Sequence, residues 1–267
     1  MWQCMQMEVS LQFAVLEWVN KRQDLDTCTL EIKEHKSDVK DVVCLPGDEL
    51  LASACSDGKI NLCDFVSGQV MIEIHGHEGE IRNMDACRHG TRLVSGGEDR
   101  TVRVWDTRTG QPVCVLQGHS VHNPRCTCQH SSFGYVANAA CPVQGHSATV
   151  RGVRFSPLEP HVIASCSNDK TIKIWRLVQG ANSHELGDQD TPVSLEGHGK
   201  PVSSIAFSCA QAHTLASGSE DRTIKIWDTT TGGCNKSLSA GRGVTSVVRI
   251  LTNVSALVHL LYRLTIC

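Results

Sequence analysis

The sequence predicts an all-β protein assembled from repeated four-stranded units. Apolar and polar residues alternate over short runs, and turn residues separate these runs every ~8–12 positions, which is typical of β-strands. The glycine–histidine pairs Gly76-His77 and Gly118-His119 lie 42 residues apart, and His35 lies another 42 residues upstream of His77. A constant step of this length indicates a repeat architecture.

The interiors of the repeats agree closely from copy to copy. Leu93 to Asp106 reads LVSGGEDRTVRVWD, and Leu215 to Asp228 reads LASGSEDRTIKIWD. Ile163 to Trp175 reads IASCSNDKTIKIW, whereas Leu51 to Asp64 reads LASACSDGKINLCD, with Cys63 in the place of tryptophan. Each unit divides into four short strands separated by turns. The predicted strands include Val150–Phe155, Val202–Phe207, Thr223–Trp227 and Pro112–Leu116.

These motifs resemble the WD-repeat (WD40) family, whose signature dipeptide stands at Trp105-Asp106 and at Trp227-Asp228. The resemblance implies an all-β fold, a β-propeller of four-stranded antiparallel blades, with about 5–6 blades. The ring is expected to be either incomplete or closed by a hybrid blade that takes two strands from each terminus. The strands of that closing blade are predicted at Leu11–Trp18, Thr27–Ile32, Val244–Val248 and Ala256–Leu264.

The repeat steps divide the chain into segments of unequal regularity. The segments are 1–34 and 240–267 (strands of the closing blade), 35–76 (a degenerate repeat), 77–118, 146–197 and 198–239 (repeats), and 119–145 (a truncated or irregular repeat). The repeat 146–197 carries a surface loop at about 178–192. Segment 119–145 is too short for four ordinary strands and three turns, so it is either a partial blade or an excursion between blades.

The resemblance also implies a hydrogen-bonded side-chain network inside each blade. A buried indole N–H needs an acceptor, and a serine hydroxyl can accept it and donate onward to a histidine that bridges to an aspartate. The implied sets are His77, Ser95, Asp99 and Trp105; His146, Ser165, Asp169 and Trp175; and His198, Ser217, Asp221 and Trp227. The sets recur with a tryptophan that catalysis would not need, so their role is predicted to be structural and no catalytic residue is assigned.

The first repeat departs from this pattern. His35, Ser53 and Asp57 are present, but Cys63 cannot supply the indole donor. This blade is therefore expected to be the weakest, and restoring tryptophan at position 63 is expected to raise thermal stability.

Composition narrows the function classes. The 25 Lys+Arg and 28 Asp+Glu residues give a net charge of −3, and the even spread of basic residues argues against nucleic acid as the main ligand. The sequence holds no P-loop and no dinucleotide fingerprint, so no cofactor is expected. Charged residues interrupt the apolar stretch Val247–Leu264, so no membrane segment is expected. Fourteen cysteines without an export signal indicate an intracellular protein, cytoplasmic or nuclear.

A cysteine–histidine group within 119–145 can also be interpreted as a metal site. Its core, Cys126, Cys128 and His130, fits none of the common zinc spacings, so no metal site is assigned.

The resemblance implies a non-enzymatic scaffold that binds other proteins through the faces of the propeller. The candidate partner-binding residues flank the predicted turns on one face, or stand in an exposed turn (Arg108): Asp38, Lys40, Ser56, Glu80, Arg82, Glu98, Thr149, Arg151, Asn168, Glu220 and Arg108. An alternative is a substrate receptor of a cullin-RING ubiquitin ligase, because Leu93–Arg108 resembles a box by which some WD-repeat proteins dock onto a ligase adaptor. A further alternative is a non-functional or truncated fragment of a larger WD-repeat protein.

Overall fold

The computed structural model describes residues 34–47, 50–116, 145–177 and 192–247, together with residue 32. These residues form sixteen β-strands and no helix, so the all-β prediction is confirmed. The strands are β1 (Val39–Cys44), β2 (Leu50–Cys55), β3 (Ile60–Asp64), β4 (Val70–Ile74), β5 (Ile81–Ala86), β6 (Arg92–Gly97), β7 (Val102–Asp106), β8 (Pro112–Leu116), β9 (Val150–Phe155), β10 (Val162–Ser167), β11 (Ile172–Arg176), β12 (Val193–Leu195), β13 (Val202–Phe207), β14 (Thr214–Ser219), β15 (Thr223–Asp228) and β16 (Cys234–Ser239).

Each group of four consecutive strands forms one antiparallel sheet, or blade, with neighbouring strands paired in chain order. The predicted strands Val150–Phe155, Val202–Phe207 and Pro112–Leu116 are confirmed with those bounds. Short alternating segments joined by tight turns form such meanders because each hairpin pairs residues that are already close in sequence. The described residues therefore contain four complete blades.

The four blades pack side by side through their first strands, β1, β5, β9 and β13, in chain order. Within the described ranges the sheets do not close into a ring. Strand β9 packs directly against β5, so no inner strand stands between the second and third blades. Most of 119–145 lies outside the described residues.

A repeated hydrogen bond sets the register between neighbouring inner strands. The third residue of one inner strand accepts a bond from the backbone N–H of the fourth residue of the next strand. Met84 N donates to Asp41 Oδ2 at 2.7 Å, and Val153 N donates to Asn83 Oδ1 at 3.0 Å. These bonds hold the blades at a constant offset, which places equivalent turns of successive blades side by side.

The apolar core lies between the blades. The buried indole of Trp105 packs with Ile60 and Leu62 of the first blade, while Trp175 and Trp227 belong to equivalent clusters that join the second blade to the third and the third to the fourth. A buried tryptophan side chain removes about 150–250 Å² of surface from water, so each indole makes a large contribution to the packing between two blades.

The segment after β16 was predicted to begin the closing blade. Among the described residues Val244 and Val247 are buried against Ile224 and Ile226 of the fourth blade, but the segment 244–247 is not in a strand. A strand needs a neighbour that pairs with it in a ladder. Among the described residues, the bond from Val244 N to the carbonyl oxygen of Ser219 in β14, at 2.9 Å, does not form such a ladder. The predicted strands Leu11–Trp18 and Ala256–Leu264 lie outside the described residues, as does nearly all of Thr27–Ile32.

Candidate protein-interaction face

The second blade contains a complete hydrogen-bonded chain from tryptophan to aspartate. Trp105 Nε1 donates to Ser95 Oγ at 2.7 Å, and the same oxygen lies 2.7 Å from His77 Nε2. His77 Nδ1 lies 2.8 Å from Asp99 Oδ2. Because a carboxylate only accepts, the Nδ1 atom carries the proton and the serine hydroxyl donates to Nε2. Every polar atom along this buried path thus has a partner.

The third and fourth blades repeat the chain with nearly the same distances. The serine–histidine distances are 2.7 Å for Ser165–His146 and 2.7 Å for Ser217–His198, and the histidine–aspartate distances are 2.8 Å for His146–Asp169 and 2.8 Å for His198–Asp221. The indoles of Trp175 and Trp227 donate to these serines at 2.8 Å. The structure therefore brings together all twelve residues of the three implied sets.

The electrostatics of these chains favour an ionised aspartate beside a histidine. Burial raises the pKa of Asp99, but hydrogen bonds from His77 and Thr101 outweigh burial and lower its pKa to about 2. Asp169 and Asp221 follow the same pattern. Burial raises their pKa values, but hydrogen bonds from histidine and threonine lower them by more, so both pKa values lie below their usual range. Burial lowers the pKa of His198, which favours its neutral form.

A serine, a histidine and an aspartate joined by hydrogen bonds also resemble the catalytic triad of a hydrolase. Ser95, Ser165 and Ser217 have no exposed surface. A nucleophile must reach its substrate, and these hydroxyls are already committed to a tryptophan donor and a histidine acceptor. The chains can tie the turn of each blade to its centre, but they cannot meet a substrate.

The first blade has only part of this chain. His35 Nε2 lies 2.6 Å from Ser53 Oγ, and the Asp57 carboxylate accepts from the backbone N–H of Lys59 at 3.0 Å. Among the described residues no bond joins His35 to Asp57. Cys63 is only 1% exposed in the position that the other blades give to an indole.

The ten candidate residues other than Arg108 lie at the end of the blades that carries these histidines, and we call this surface the interaction face. Its residues are Asp38, Lys40, Ser56, Glu80, Arg82, Glu98, Thr149, Arg151, Asn168 and Glu220. They belong to the loops before the inner strands, to the second positions of those strands, and to the turns between the second and third strands. Topology alone places these three groups at one end of each blade.

Ion pairs connect one half of the interaction face. Arg82 Nη2 donates to Glu98 Oε1 at 2.6 Å, and Arg82 Nη1 lies 3.1 Å from Glu80 Oε1. Lys40 of the first blade lies 3.3 Å from the same Glu80 oxygen and 3.3 Å from Asp38. Glu80 therefore links two blades, which the sequence did not predict.

Arg151 organises the other half of the interaction face. Its Nε donates to Asn168 Oδ1 at 2.7 Å, and its Nη2 lies 3.5 Å from Glu220 of the fourth blade. Backbone bonds from Asn168 to Thr149 and from Ser56 to Asp38 hold the remaining candidates against these loops. The face thus presents half-exposed, mutually paired charges on a stiff backbone.

Arg108 is exposed at the opposite end of the second blade. It lies in the turn after β7, whereas Glu98 lies in the turn before it, and the five-residue strand separates the two ends by about 15 Å. Residues Leu93–Arg108 form most of the β6–β7 hairpin. The even spread of basic residues along the sequence did not indicate Arg88, His89 and Arg92 beside Arg108, although three basic residues within five positions are a readable signal.

The described ranges contain no group of three or more histidine, cysteine, aspartate and glutamate side chains that could hold a metal ion. Cys126, Cys128 and His130 lie outside these ranges. No described helix is apolar and long enough to span a bilayer.

Several curated proteins are similar to this chain. WD repeat-containing protein pop1 of Schizosaccharomyces pombe is 26% identical over 246 residues, which cover 81% of this chain and 28% of that protein. Transducin beta-like protein 3 of Bos taurus is 27% identical, over 72% of this chain and 22% of that protein. Ribosome biogenesis protein YTM1 of Eremothecium gossypii is 26% identical, over 76% of this chain and 48% of that protein. The chain spans less than half the length of each of these relatives.

The family model described as "WD domain, G-beta repeat" (WD40) matches four stretches, at residues 26–64, 68–106, 139–176 and 190–228. Each stretch ends at the last residue of a third strand, β3, β7, β11 or β15, so each match has the same register relative to its blade. Together the matches cover more than half of the chain, and the chain therefore belongs to the WD40 repeat family.

Proposed function

We propose that this chain is a non-enzymatic scaffold that binds another protein through the interaction face. The observation that carries the proposal is the network of half-exposed charges around Arg82 and Arg151, held on turns that the buried histidine chains fix. Such charges on rigid turns can meet complementary groups of a partner without an ordering cost. The buried serines support the absence of catalysis.

The test uses a charge exchange that keeps the internal ion pair. In the double variant Arg82→Glu with Glu98→Lys, the pair within the blade can re-form with its polarity reversed, so the fold is expected to persist. Partners that read this polarity are expected to lose binding. The matched control is Lys236→Glu on the exposed outer strand β16, away from the face.

The readout is affinity capture from cells with quantitative mass spectrometry. Proteins retained by the parent chain and by Lys236→Glu, but lost by the exchange variant, support the proposal. If the exchange variant and Arg151→Glu both retain every protein that the parent captures, the interaction face is not the binding surface.

The scaffold is proposed to act inside the cell, in the cytoplasm or nucleus. Seven cysteines within the described residues are free thiols, which is usual in a reducing compartment: Cys44, Cys55, Cys63, Cys87, Cys114, Cys166 and Cys234. Microscopy of the tagged full chain tests this location, and accumulation in the secretory pathway would contradict it.

Docking of Leu93–Arg108 on a ligase adaptor stays a hypothesis from the sequence, and none of the three relatives above is named as a ligase component. Co-precipitation of the adaptor with the parent chain and with Arg108→Ala tests it.

A further inference from the structure

The lower end of the second blade, opposite the interaction face, carries a concentration of positive charge. Arg88 and His89 lie in the turn before β6, Arg92 begins β6, and Arg108 lies in the turn after β7. We call these four residues the basic end.

Hydrogen bonds join the two turns of the basic end into one surface. Thr107 is buried, its Oγ1 donates to the carbonyl oxygen of Gly90 at 2.7 Å, and its backbone N–H donates to the carbonyl of Thr91 at 3.2 Å. Arg88 and His89 directly precede Gly90, and Arg108 directly follows Thr107. The guanidinium groups therefore project from adjacent, fixed backbone positions.

The basic end is not neutralised within the described residues. None of its three arginines forms an ion pair with a described carboxylate. The acid nearest to Arg108 in sequence, Asp106, already accepts from the backbone N–H groups of Arg108 at 2.9 Å and of Thr109 at 3.0 Å. As far as the described residues go, an incoming carboxylate would thus meet arginines whose donors no carboxylate occupies.

The other blades lack this feature at the same end. In the first blade the described turn residues 45–47 and 65–68 contain no basic side chain. In the third blade Arg176 lies 3.9 Å from Glu159, and the same glutamate lies 3.2 Å from His213 of the fourth blade. The positive charge is therefore local to one blade.

We propose that the basic end is a second docking surface, for a short segment of a partner protein that is rich in aspartate or glutamate. The proposal extends the scaffold function with a second site and a stated partner chemistry. A short acidic segment fits because Asp64 and Glu159 flank the basic end on the neighbouring blades. A long polyanion such as a nucleic acid would have to cross those carboxylates, which disfavours it.

The test measures fluorescence anisotropy of a fluorescein-labelled octaglutamate peptide titrated with the full chain. Binding is expected to weaken as the salt concentration rises from about 50 to about 300 mM, because dissolved ions then screen the attraction between exposed charges. Each of Arg88→Gln and Arg108→Gln is expected to raise Kd about threefold, and the double variant about tenfold. Both residues are exposed in turns, so thermal unfolding of the variants should match the parent.

The matched controls are Arg100→Gln and Arg222→Gln, exposed arginines at the opposite end of the blades. Unchanged binding by these controls supports the proposal. Equal losses in controls and test variants, or undiminished binding by the Arg88→Gln/Arg108→Gln variant, would overturn it. Tighter binding of a thymidine 20-mer through the same arginines would also overturn it in favour of nucleic acid. None of these outcomes depends on the interaction face, which its own variants test separately.

Discussion

A Cβ atom on Gly76 would lie 2.8 Å from Cη2 of Trp105, closer than real Cβ contacts come. The fourth blade has the same glycine–tryptophan neighbours, with the corresponding distance at 3.4 Å. The indole thus occupies the space into which a side chain would point. In the first blade Glu34 stands at the glycine position and Cys63 at the tryptophan position. Glutamate is larger than the glycine it replaces, and cysteine is smaller than the tryptophan it replaces. Burial, and secondarily the charge of Glu34, raises the pKa of the Cys63 thiol.

This pairing changes what restoring the tryptophan is expected to do. Cys63→Trp alone should lower the free energy of unfolding by about 1–3 kcal/mol, because the indole has to displace Glu34 and overpack a site that is already buried. Adding Glu34→Gly should recover at least about 1 kcal/mol of that loss. Urea unfolding of the parent, both single variants and the double variant measures the coupling. A stabilised Cys63→Trp single variant would show that the sequence-based expectation was right.

The serine at the centre of each chain offers a comparison between blades. Ser95→Ala removes the partner of both Trp105 Nε1 and His77 Nε2, and should lower unfolding free energy by about 2–4 kcal/mol, since each buried unpaired group costs about 1–3 kcal/mol. Ser53→Ala deprives only His35 and should lower it by about 1 kcal/mol. Urea unfolding of the two variants measures the difference. Equal losses would mean that the indole bond adds nothing to stability.

Much of the fold could be predicted from residues that are near each other in sequence. The alternation in Val150–Phe155 and Val202–Phe207 predicted two inner strands with their observed bounds. The histidine, serine, aspartate and tryptophan sets of three blades were implied by the resemblance to the WD-repeat family, and the repeat showed which residues occupy these positions in each copy.

The contacts between blades could not be predicted in this way. The Lys40–Glu80 pair joins residues that no repeat rule places together, since it depends on the angle between two sheets. The segment 244–247 matched the pattern of an inner strand but pairs with no described strand in a ladder, because strand formation depends on a neighbour that local pattern does not reveal. The basic end could not be predicted from the sequence because its two turns are joined through Thr107, a contact that only the structure shows.

Stability is expected to fall in acid because of the histidine–aspartate bonds. The folded-state pKa of Asp99, about 2, lies below its ordinary value of 3.8. Its contribution of about 2 kcal/mol is therefore present above about pH 5 and is lost as pH falls through about 2. The lowered pKa of His198 acts in the same direction, because its proton uptake favours the unfolded chain. Thermal unfolding from pH 7 to pH 2 should show a shallower decline for Asp99→Asn than for the parent, and parallel curves would contradict this.

In each blade the third residue of the first strand opposes a residue of the second strand. The pairs are Asp41–Ala54, Asn83–Gly96, Gly152–Cys166 and Ser204–Gly218. In the third blade Cys166 Sγ would lie 3.0 Å from a Cβ on Gly152, so these two positions have room for one large side chain. The glycine also leaves this blade without the side-chain acceptor that Asp41 and Asn83 provide to the next inner strand.

An exchange within this pair should therefore be strongly non-additive. Gly152→Ser alone should cost about 1–2 kcal/mol because its Cβ meets the Cys166 thiol. With Cys166→Gly the serine can accept from the backbone of Ile205, and the double variant should be at least about 1 kcal/mol better than the sum of the singles. Denaturant unfolding of the four proteins completes the cycle. Additive effects would mean that the two positions do not share space.

The last prediction concerns the edge of the fourth blade. A Cβ on Gly218 would meet the side chains of Val244 and Val247, just as two valines of β9 pack against Gly96. Val247 N also donates to Ser204 Oγ at 3.1 Å, which repeats the bond between inner strands.

If this segment covers the blade as an inner strand does, Val247→Ala should lower unfolding free energy by about 1–3 kcal/mol, through lost burial and the cavity left behind. The control is Val66→Ala, because Val66 is 63% exposed and its truncation should change stability by less than about 0.5 kcal/mol. Hydrogen exchange of the amides of Ile224 and Ile226 should rise in Val247→Ala and stay constant in Val66→Ala, since the loss is local to the fourth blade. Equal stability of the two variants would show that the fourth blade does not need residues 244–247 as a cover.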